Sequence, residues 1–141
     1  MKTTISALVE NHPGVLSRVA GLFSRRGFNI DSLVVGTTET PDISRMTIVV
    51  EGDEHVVEQV KKQLNKLVDV IKVSTIAPEE SVRRELVLIK VDADVQTRKD
   101  IVSIAEIFRA NIVDVSKKSM IIELTGDKDK VTAFEELLRP F

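Results

Sequence analysis

The sequence has no cysteine, tryptophan or tyrosine, and its only aromatic side chains are five phenylalanines. Without cysteine there can be no disulfide, no thiolate nucleophile and no zinc–sulfur site. The formal net charge of −2 offers no large positive field for nucleic acid. The strand-like stretch 45–51 contains no aromatic side chain on which an RNA base could stack. We therefore expect no nucleic-acid partner.

Long apolar runs are also absent. No run approaches the roughly 18 to 20 residues of a membrane span, and the segment Met1 to Ile5 lacks the apolar core of a signal peptide. The absence of cysteine fits a protein of a reducing compartment. These features predict a cytoplasmic protein with no membrane partner.

Groups that could carry catalysis are few. The only histidines, His12 and His55, are far apart in sequence, and no pair has the spacing of metal ligands. Neither a strained nucleophile motif nor a glycine-rich phosphate loop is present. A small enzyme would need a cluster of ionisable groups that the sequence does not show. We expect no catalytic residue, no metal site and no cofactor on this chain.

Hydrophobic periodicity over residues 1–77 predicts the order strand, helix, strand, strand, helix, strand. The phase of the second strand slips between Ile30 and Leu33, which predicts a β-bulge there or a strand buried on both faces. This order makes a four-stranded antiparallel sheet with two helices on one face, the α+β ferredoxin-like βαββαβ arrangement. The predicted strands are 3–10, 28–38, 45–51 and 68–76, and the predicted helices are 14–26 and a segment beginning near residue 54.

Residues 78–141 predict a second, related domain. Strands are expected at 86–91, 111–116 and 120–124, and helices at 97–109 and after Gly126, with no final strand. Two short strings recur between the halves, which indicates an internal duplication. Because two such small sheets each leave one face uncovered by helices, we expect at least a dimer. The recurring strings are Asn29-Ile30-Asp31 with Asn111-Ile112-Val113-Asp114, and Gly52-Asp53 with Gly126-Asp127.

The segment from Asn11 to Leu16 has the composition of a ligand loop. Pro13 and Gly14 stand where the first helix begins, and free N–H groups at a helix start favour a carboxylate. An amino acid fits such a place, with its ammonium group on asparagine or backbone oxygens. The simpler interpretation is that Asn11 caps the helix and Gly14 eases a tight turn. The wider candidate site adds Asn29, and the apolar residues Ile30, Val34 and Val35 for a small side chain.

The string Asn11-x-Pro-Gly-Val-Leu-Ser-Arg-Val19 resembles the ligand loop of ACT domains, which bind amino acids at dimer interfaces. Longer strings resemble one subfamily, the small regulatory subunit of acetohydroxyacid synthase, also called acetolactate synthase. They are 22–33 (LFSRRGFNIDSL), 44–50 (SRMTIVV), 63–70 (QLNKLVDV), 84–86 (REL), 107–114 (IFRANIVD) and 123–126 (ELTG). The resemblance covers nearly the whole chain.

The resemblance implies a homodimer that binds valine or another branched-chain amino acid. Asn11, Gly14, Val15 and Leu16 would form the carboxylate loop, and Asn29-Ile30 would come from the facing subunit. The partner would be a separate catalytic large subunit that carries thiamine diphosphate, Mg²⁺ and FAD. This chain would raise its activity and confer feedback inhibition in branched-chain amino-acid synthesis.

Two points remain open at this stage. Family members usually extend further and complete the last strand of the second domain, whereas this chain ends at Phe141. The alternative function is a stand-alone ACT-type amino-acid sensor that acts on a different enzyme or regulator.

Overall fold

The computed structural model describes residues 1–141 and contains two compact units, Met1–Ser81 and Val82–Phe141. A short 3₁₀ turn, Pro78–Glu80, follows residue 77 and groups with the first compact unit. None of the four helices is both long and apolar enough to cross a membrane.

The first unit has the predicted βαββαβ order. Its antiparallel sheet has the strand order β2-β3-β1-β4, which is the ferredoxin-like arrangement and leaves β2 and β4 at the edges. Its elements are β1 (Lys2–Glu10), α1 (Val15–Arg26), β2 (Ile30–Thr37), β3 (Ile43–Glu51), α2 (Glu54–Asn65) and β4 (Val70–Ile76).

The core of this unit lies between the two helices and one face of the sheet. Alternate residues of β1 and β3 point to this face, as the period of two predicts. The buried residues on it include Ile5, Ala7, Met46 and Ile48, and Phe23 of α1 packs against them. The opposite face of the sheet carries no helix.

The second unit repeats the first as far as its second helix. Its three-stranded antiparallel sheet has the order β5-β7-β6, so the βαββα arrangement expected for this half is confirmed. The core centres on Phe134, Ile101 and Ile122, each 0% exposed. The elements are β5 (Glu85–Asp92), α3 (Arg98–Ile107), β6 (Asn111–Val115), β7 (Ser119–Gly126) and α4 (Lys128–Leu138).

The recurring strings occupy equivalent places in the two units. Asp53 and Asp127 each cap a helix, accepting a hydrogen bond at 2.9 Å from the backbone N–H three residues later. A Cβ at Gly52 would lie 2.7 Å from the Val56 side chain, and a Cβ at Gly126 would lie 2.6 Å from the flexible Lys130 side chain.

Both β2 and β6 contain a register shift of the kind expected of a β-bulge, and β2 is not buried on both faces. The register shifts between Ile30 and Ser32 in the first unit and between Ile112 and Asp114 in the second. The first strand residue after α1 is Ile30, not Phe28 as expected. The Phe28 N–H instead closes the helix end on the Phe23 carbonyl, where Gly27 adopts a left-handed conformation.

Candidate functional site

The N-terminus of α1 is open. Gly14 precedes the helix with a φ of 90°, and no side chain caps the helix or places an acidic group in its first turn. The N–H groups of Val15, Leu16 and Ser17 have no acceptor within the helix. The side chain of Val15 is buried in the core, whereas Leu16 is half exposed. The turn therefore presents backbone donors and the positive end of a helix dipole to an anion.

Asn11 is not the cap of this helix, so the simpler interpretation of its role is wrong. Its amide Nδ2 donates to the carbonyl oxygen of Pro41 at 2.9 Å, and its backbone N–H donates to Asp42 at 2.8 Å. These bonds tie the loop to the β2–β3 turn and leave the Asn11 amide oxygen available. Gly14, with its left-handed backbone, is the residue that turns the chain into the helix.

A group of ionisable side chains stands beside this loop. Nε2 of His12 lies 2.9 Å from Oδ1 of Asp69 and 3.2 Å from Oε2 of Glu10. Arg18 approaches the other oxygen of Asp69, Oδ2, with Nε and one terminal nitrogen both at 2.6 Å. The hydrogen bond to the Pro13 carbonyl, together with Glu10 and Asp69, raises the pKa of His12 above its usual value. The group links the loop to α1 and to the start of β4.

The sequence did not reveal this group. Asp69 follows His12 by 57 residues and Arg18 by 51, and only the pairing of β1 with β4 brings them together. No feature of the sequence assigned a partner to His12, and its side chain is 42% exposed, but it has two carboxylate partners. The one signal in the sequence was an aspartate, Asp69, at the start of the predicted fourth strand.

The equivalent loop of the second unit is closed by its own side chain. Oδ1 of Asp94 accepts hydrogen bonds from the N–H groups of Gln96 and Thr97, both at 2.8 Å, and from the Thr97 hydroxyl. The bond from the Thr97 N–H is the main cause that lowers the pKa of Asp94. A carboxylate of the chain itself therefore binds the turn that leads into α3, whereas no carboxylate binds the turn that leads into α1.

The remaining predicted site residues lie away from the loop within one chain. Across the sheet, Ile30 lies level with Thr3 at the start of β1, because both residues pair with Val50 of β3. The loop follows Glu10, at the other end of β1. Seven residues along β1 span about 23 Å. One chain thus does not bring Asn29 and Ile30 to the loop residues.

Two more predicted residues lie on opposite faces of β2. Val35 pairs with the buried Met46 on the face that bears the helices, and Val34 pairs with Thr47 on the bare face. Val35 is 42% exposed and Val34 66% exposed. A ligand at the start of α1 is on the helix face, where Val35 is accessible and Val34 is not.

Both units match models of known protein families. A family model described as "AHAS small subunit-like ACT domain" matches residues 5–72, and one described as "Small subunit of acetolactate synthase" matches residues 84–141. The chain is 67% identical over 141 residues to the "Probable acetolactate synthase small subunit" of Archaeoglobus fulgidus, covering 100% of this chain and 88% of that one. It is 54% identical over 138 residues to the acetolactate synthase small subunit of Mycobacterium bovis, covering 98% and 82%.

The fold agrees with a solved structure along nearly the whole chain. The crystal structure of the acetolactate synthase small subunit from Thermotoga maritima superposes with a TM-score of 0.93 at 49% identity, covering 99% of this chain and 88% of that one. The chain therefore belongs to the family of acetolactate synthase small subunits, the regulatory, non-catalytic components of that enzyme.

Proposed function

We propose that this chain binds valine or another branched-chain amino acid and transmits feedback inhibition to a catalytic subunit of acetolactate synthase. Membership of the small-subunit family implies a catalytic large subunit as partner. The reaction, with thiamine diphosphate, Mg²⁺ and FAD, is assigned to that partner. This chain would contribute the effector site and activation.

The observation that carries the proposal is the difference between the two helix starts. In the first unit Gly14 leaves the N–H groups of the first turn of α1 without a cap. In the second unit the Asp94 carboxylate binds the N–H groups of Gln96 and Thr97, in the turn that leads into α3. A free amino acid offers the same chemical group as Asp94, a carboxylate, and can bind where the chain supplies none.

A two-fold dimer through β2 would create a shared site. β2 is an edge strand with an unpaired outer side, and such edges are completed by pairing with a second copy. Antiparallel pairing about a centre near Val34 sets Ile30 of one copy opposite Thr38 of the other. Thr38 donates its backbone N–H to Ile43, beside the turn that holds Asn11. The dimer would unite the half-sites that one chain keeps apart.

The chemistry of the ligand follows from these groups. Its carboxylate would meet the N–H groups of Val15 and Leu16, and its ammonium group would meet the amide oxygens of Asn11 and of Asn29 from the second copy. Ile30 and Val35 would accept a small branched side chain. These half-exposed residues gain from being covered, at about 25 cal/mol per Å² of apolar area.

The deciding experiment measures acetolactate formation by the cognate large subunit, with and without this chain, across a valine titration. We expect the chain to raise the rate and valine to reverse the gain. In parallel, a ligand bound only to the folded dimer stabilises it by about 2.7 kcal/mol at one hundred times its dissociation constant. The melting temperature of the chain alone should therefore rise with valine.

Two outcomes would overturn parts of the proposal. An unchanged melting curve with millimolar valine, leucine and isoleucine would remove the sensing role. A ligand-induced rise in melting temperature without any effect on the large subunit would favour the alternative, a sensor that acts on a different enzyme. Co-purification with a thiamine-dependent large subunit separates these two functions.

A further inference from the structure

The group formed by Glu10, His12 and Asp69 has the geometry of a metal site. Nε2 of His12 faces two carboxylate oxygens, Oδ1 of Asp69 at 2.9 Å and Oε2 of Glu10 at 3.2 Å. All three donor atoms lie within 4.8 Å of one another. Zinc bonds of about 2.0–2.2 Å separate tetrahedral ligand atoms by about 3.4 Å. The distance to Glu10 is close to this value, and the Asp69 oxygen would move outward by about 0.5 Å to admit the ion.

Neighbouring groups orient these donors in the way that outer-shell groups orient metal ligands. Nδ1 of His12 is 3.2 Å from the carbonyl oxygen of Pro13. With a proton on Nδ1 donated to that carbonyl, Nε2 faces the two carboxylates, where it holds either its own second proton or a metal ion. Arg18 binds Oδ2 of Asp69, so that Oδ1 remains free for a cation.

The local charge favours a divalent ion. Glu10 and Asp69 carry two negative charges and Arg18 one positive charge, which leaves a net charge of −1 beside an imidazole that is neutral when it binds a metal ion. Asp69 is only 12% exposed at its side chain, so water screens its charge weakly. Mixed imidazole and carboxylate donors suit Zn²⁺ or a similar transition metal, whereas Mg²⁺ and Ca²⁺ prefer oxygen alone.

We propose that Glu10, His12 and Asp69 form a transition-metal site, with Zn²⁺ as the best-fitting ion and solvent completing its coordination. Glu10 ends β1, His12 belongs to the ligand loop, and Asp69 directly precedes β4. The ion would tie the loop to β4 at the point where Glu10 N–H already donates to the Asp69 carbonyl. This revises the expectation from sequence that the chain has no metal ligand, and it does not depend on amino-acid sensing.

The test uses the full chain after treatment with a chelator. Zn²⁺ is titrated at neutral pH in the presence of excess Mg²⁺, a hard cation that prefers oxygen ligands, and followed by competition with a chromophoric indicator. We expect one equivalent per chain. His12→Gln removes the nitrogen ligand and should weaken binding about tenfold or more. His55→Gln, at the exposed start of α2, is the matched control and should bind like the unchanged chain.

A second variant and a second signal keep the result interpretable. Glu10→Gln keeps its size and loses its charge, and it should also weaken Zn²⁺ binding. Co²⁺ in the same site should give a visible absorption band that His12→Gln abolishes. If neither metal binds stoichiometrically, or if His12→Gln and His55→Gln bind equally, the site is not a metal site. A chain that binds Zn²⁺ but not valine would retain this inference and overturn only the sensing proposal.

Discussion

The carboxylate of Asp69 holds the guanidinium group of Arg18 at two points, with Nε and a terminal nitrogen each 2.6 Å from the same oxygen. Charge-assisted pairs of this kind are stronger than neutral hydrogen bonds. The contact fastens the first turn of α1 to the entrance of β4. It also brings the Arg18 side chain over Gly14, where a Cβ would lie 3.1 Å from an Arg18 nitrogen.

Arg18→Met should destabilise the first unit. The substitution keeps much of the aliphatic stem but leaves Asp69, 12% exposed at its side chain, with His12 as its remaining side-chain partner. We expect a loss of about 1–2 kcal/mol, between the values for surface and buried pairs. Denaturant unfolding measures this loss in the free energy of unfolding. Arg25→Met on the same helix, which removes no ion pair, should cost less, and equal losses would contradict the importance of the Asp69 contact.

Gly14→Asp should abolish valine inhibition while leaving activation of the large subunit in place. The new carboxylate would compete for the N–H groups of the first turn, as Asp94 does in the second unit. The substitution also forces a non-glycine residue to a φ of 90°, which costs about 1–3 kcal/mol. Valine titration of the assembled enzyme gives the measurement.

Two alanine variants separate charge from strain in that experiment. Gly14→Ala introduces the strain without the carboxylate, and Gly27→Ala introduces similar strain at a φ of 69° at the other end of α1, with nothing within 4 Å of its Cβ. Gly27→Ala should keep its sensitivity to valine. Full valine inhibition in Gly14→Asp would show that the effector binds elsewhere.

Asp94 should make the stability of the second unit depend on pH. Hydrogen bonds from Thr97 and Gln96 hold its pKa below the ordinary value of 3.8. The charged form therefore contributes stability that is fully present above pH 3.8 and is lost as the pH falls through the lowered pKa. The melting temperature of Asp94→Asn should be below that of the unchanged chain at neutral pH, and the difference should shrink on acidification.

The control for this pH series is Asp42→Asn, because the Asp42 side chain makes no hydrogen bond, although its backbone carbonyl accepts one from Asn11. The melting temperature of Asp42→Asn should stay close to that of the unchanged chain at every pH. If the difference in melting temperature between Asp94→Asn and the unchanged chain remains constant down to about pH 3, the charge of Asp94 does not stabilise this loop.

Phe134→Ala should unfold much of the second unit. Phe134 is 0% exposed and packs on Phe108 with ring centroids 5.1 Å apart. Such truncations cost about 3–5 kcal/mol, comparable with the total stability of a unit of about 60 residues. Hydrogen exchange resolves which unit loses protection. Leu137→Ala, at a side chain that is 49% exposed, is the neutral control, and unchanged protection in Phe134→Ala would contradict this core assignment.

Most of the fold was predictable because side-chain periodicity is a local property. The order of strands and helices, the bulge after Ile30 and the repeated Gly-Asp helix starts all follow from neighbouring residues. Boundaries were less accurate where a turn intervenes. β4 begins at Val70, not at Val68, which is 94% exposed. α3 ends at Ile107, because Arg109 adopts a φ of 56°.

The candidate site was predictable only in part. The loop and its open helix start follow from Pro13 and Gly14 in sequence, but the role of Asn11 does not. Its amide partner, Pro41, is 30 residues away. That contact depends on the length and shape of the β2–β3 turn, which the hydrophobic pattern does not encode.

The sequence by itself determined the two-unit α+β architecture, the family and the glycine-led start of α1, since each depends on local pattern or on a matched string of residues. Only the tertiary structure decided which charges meet. The pairing of β4 with β1 places Asp69 between His12 and Arg18. The pairing of β2 with β3 separates Ile30 from the loop by the length of a strand. Strand register sets both distances, and register is a property of the folded sheet as a whole.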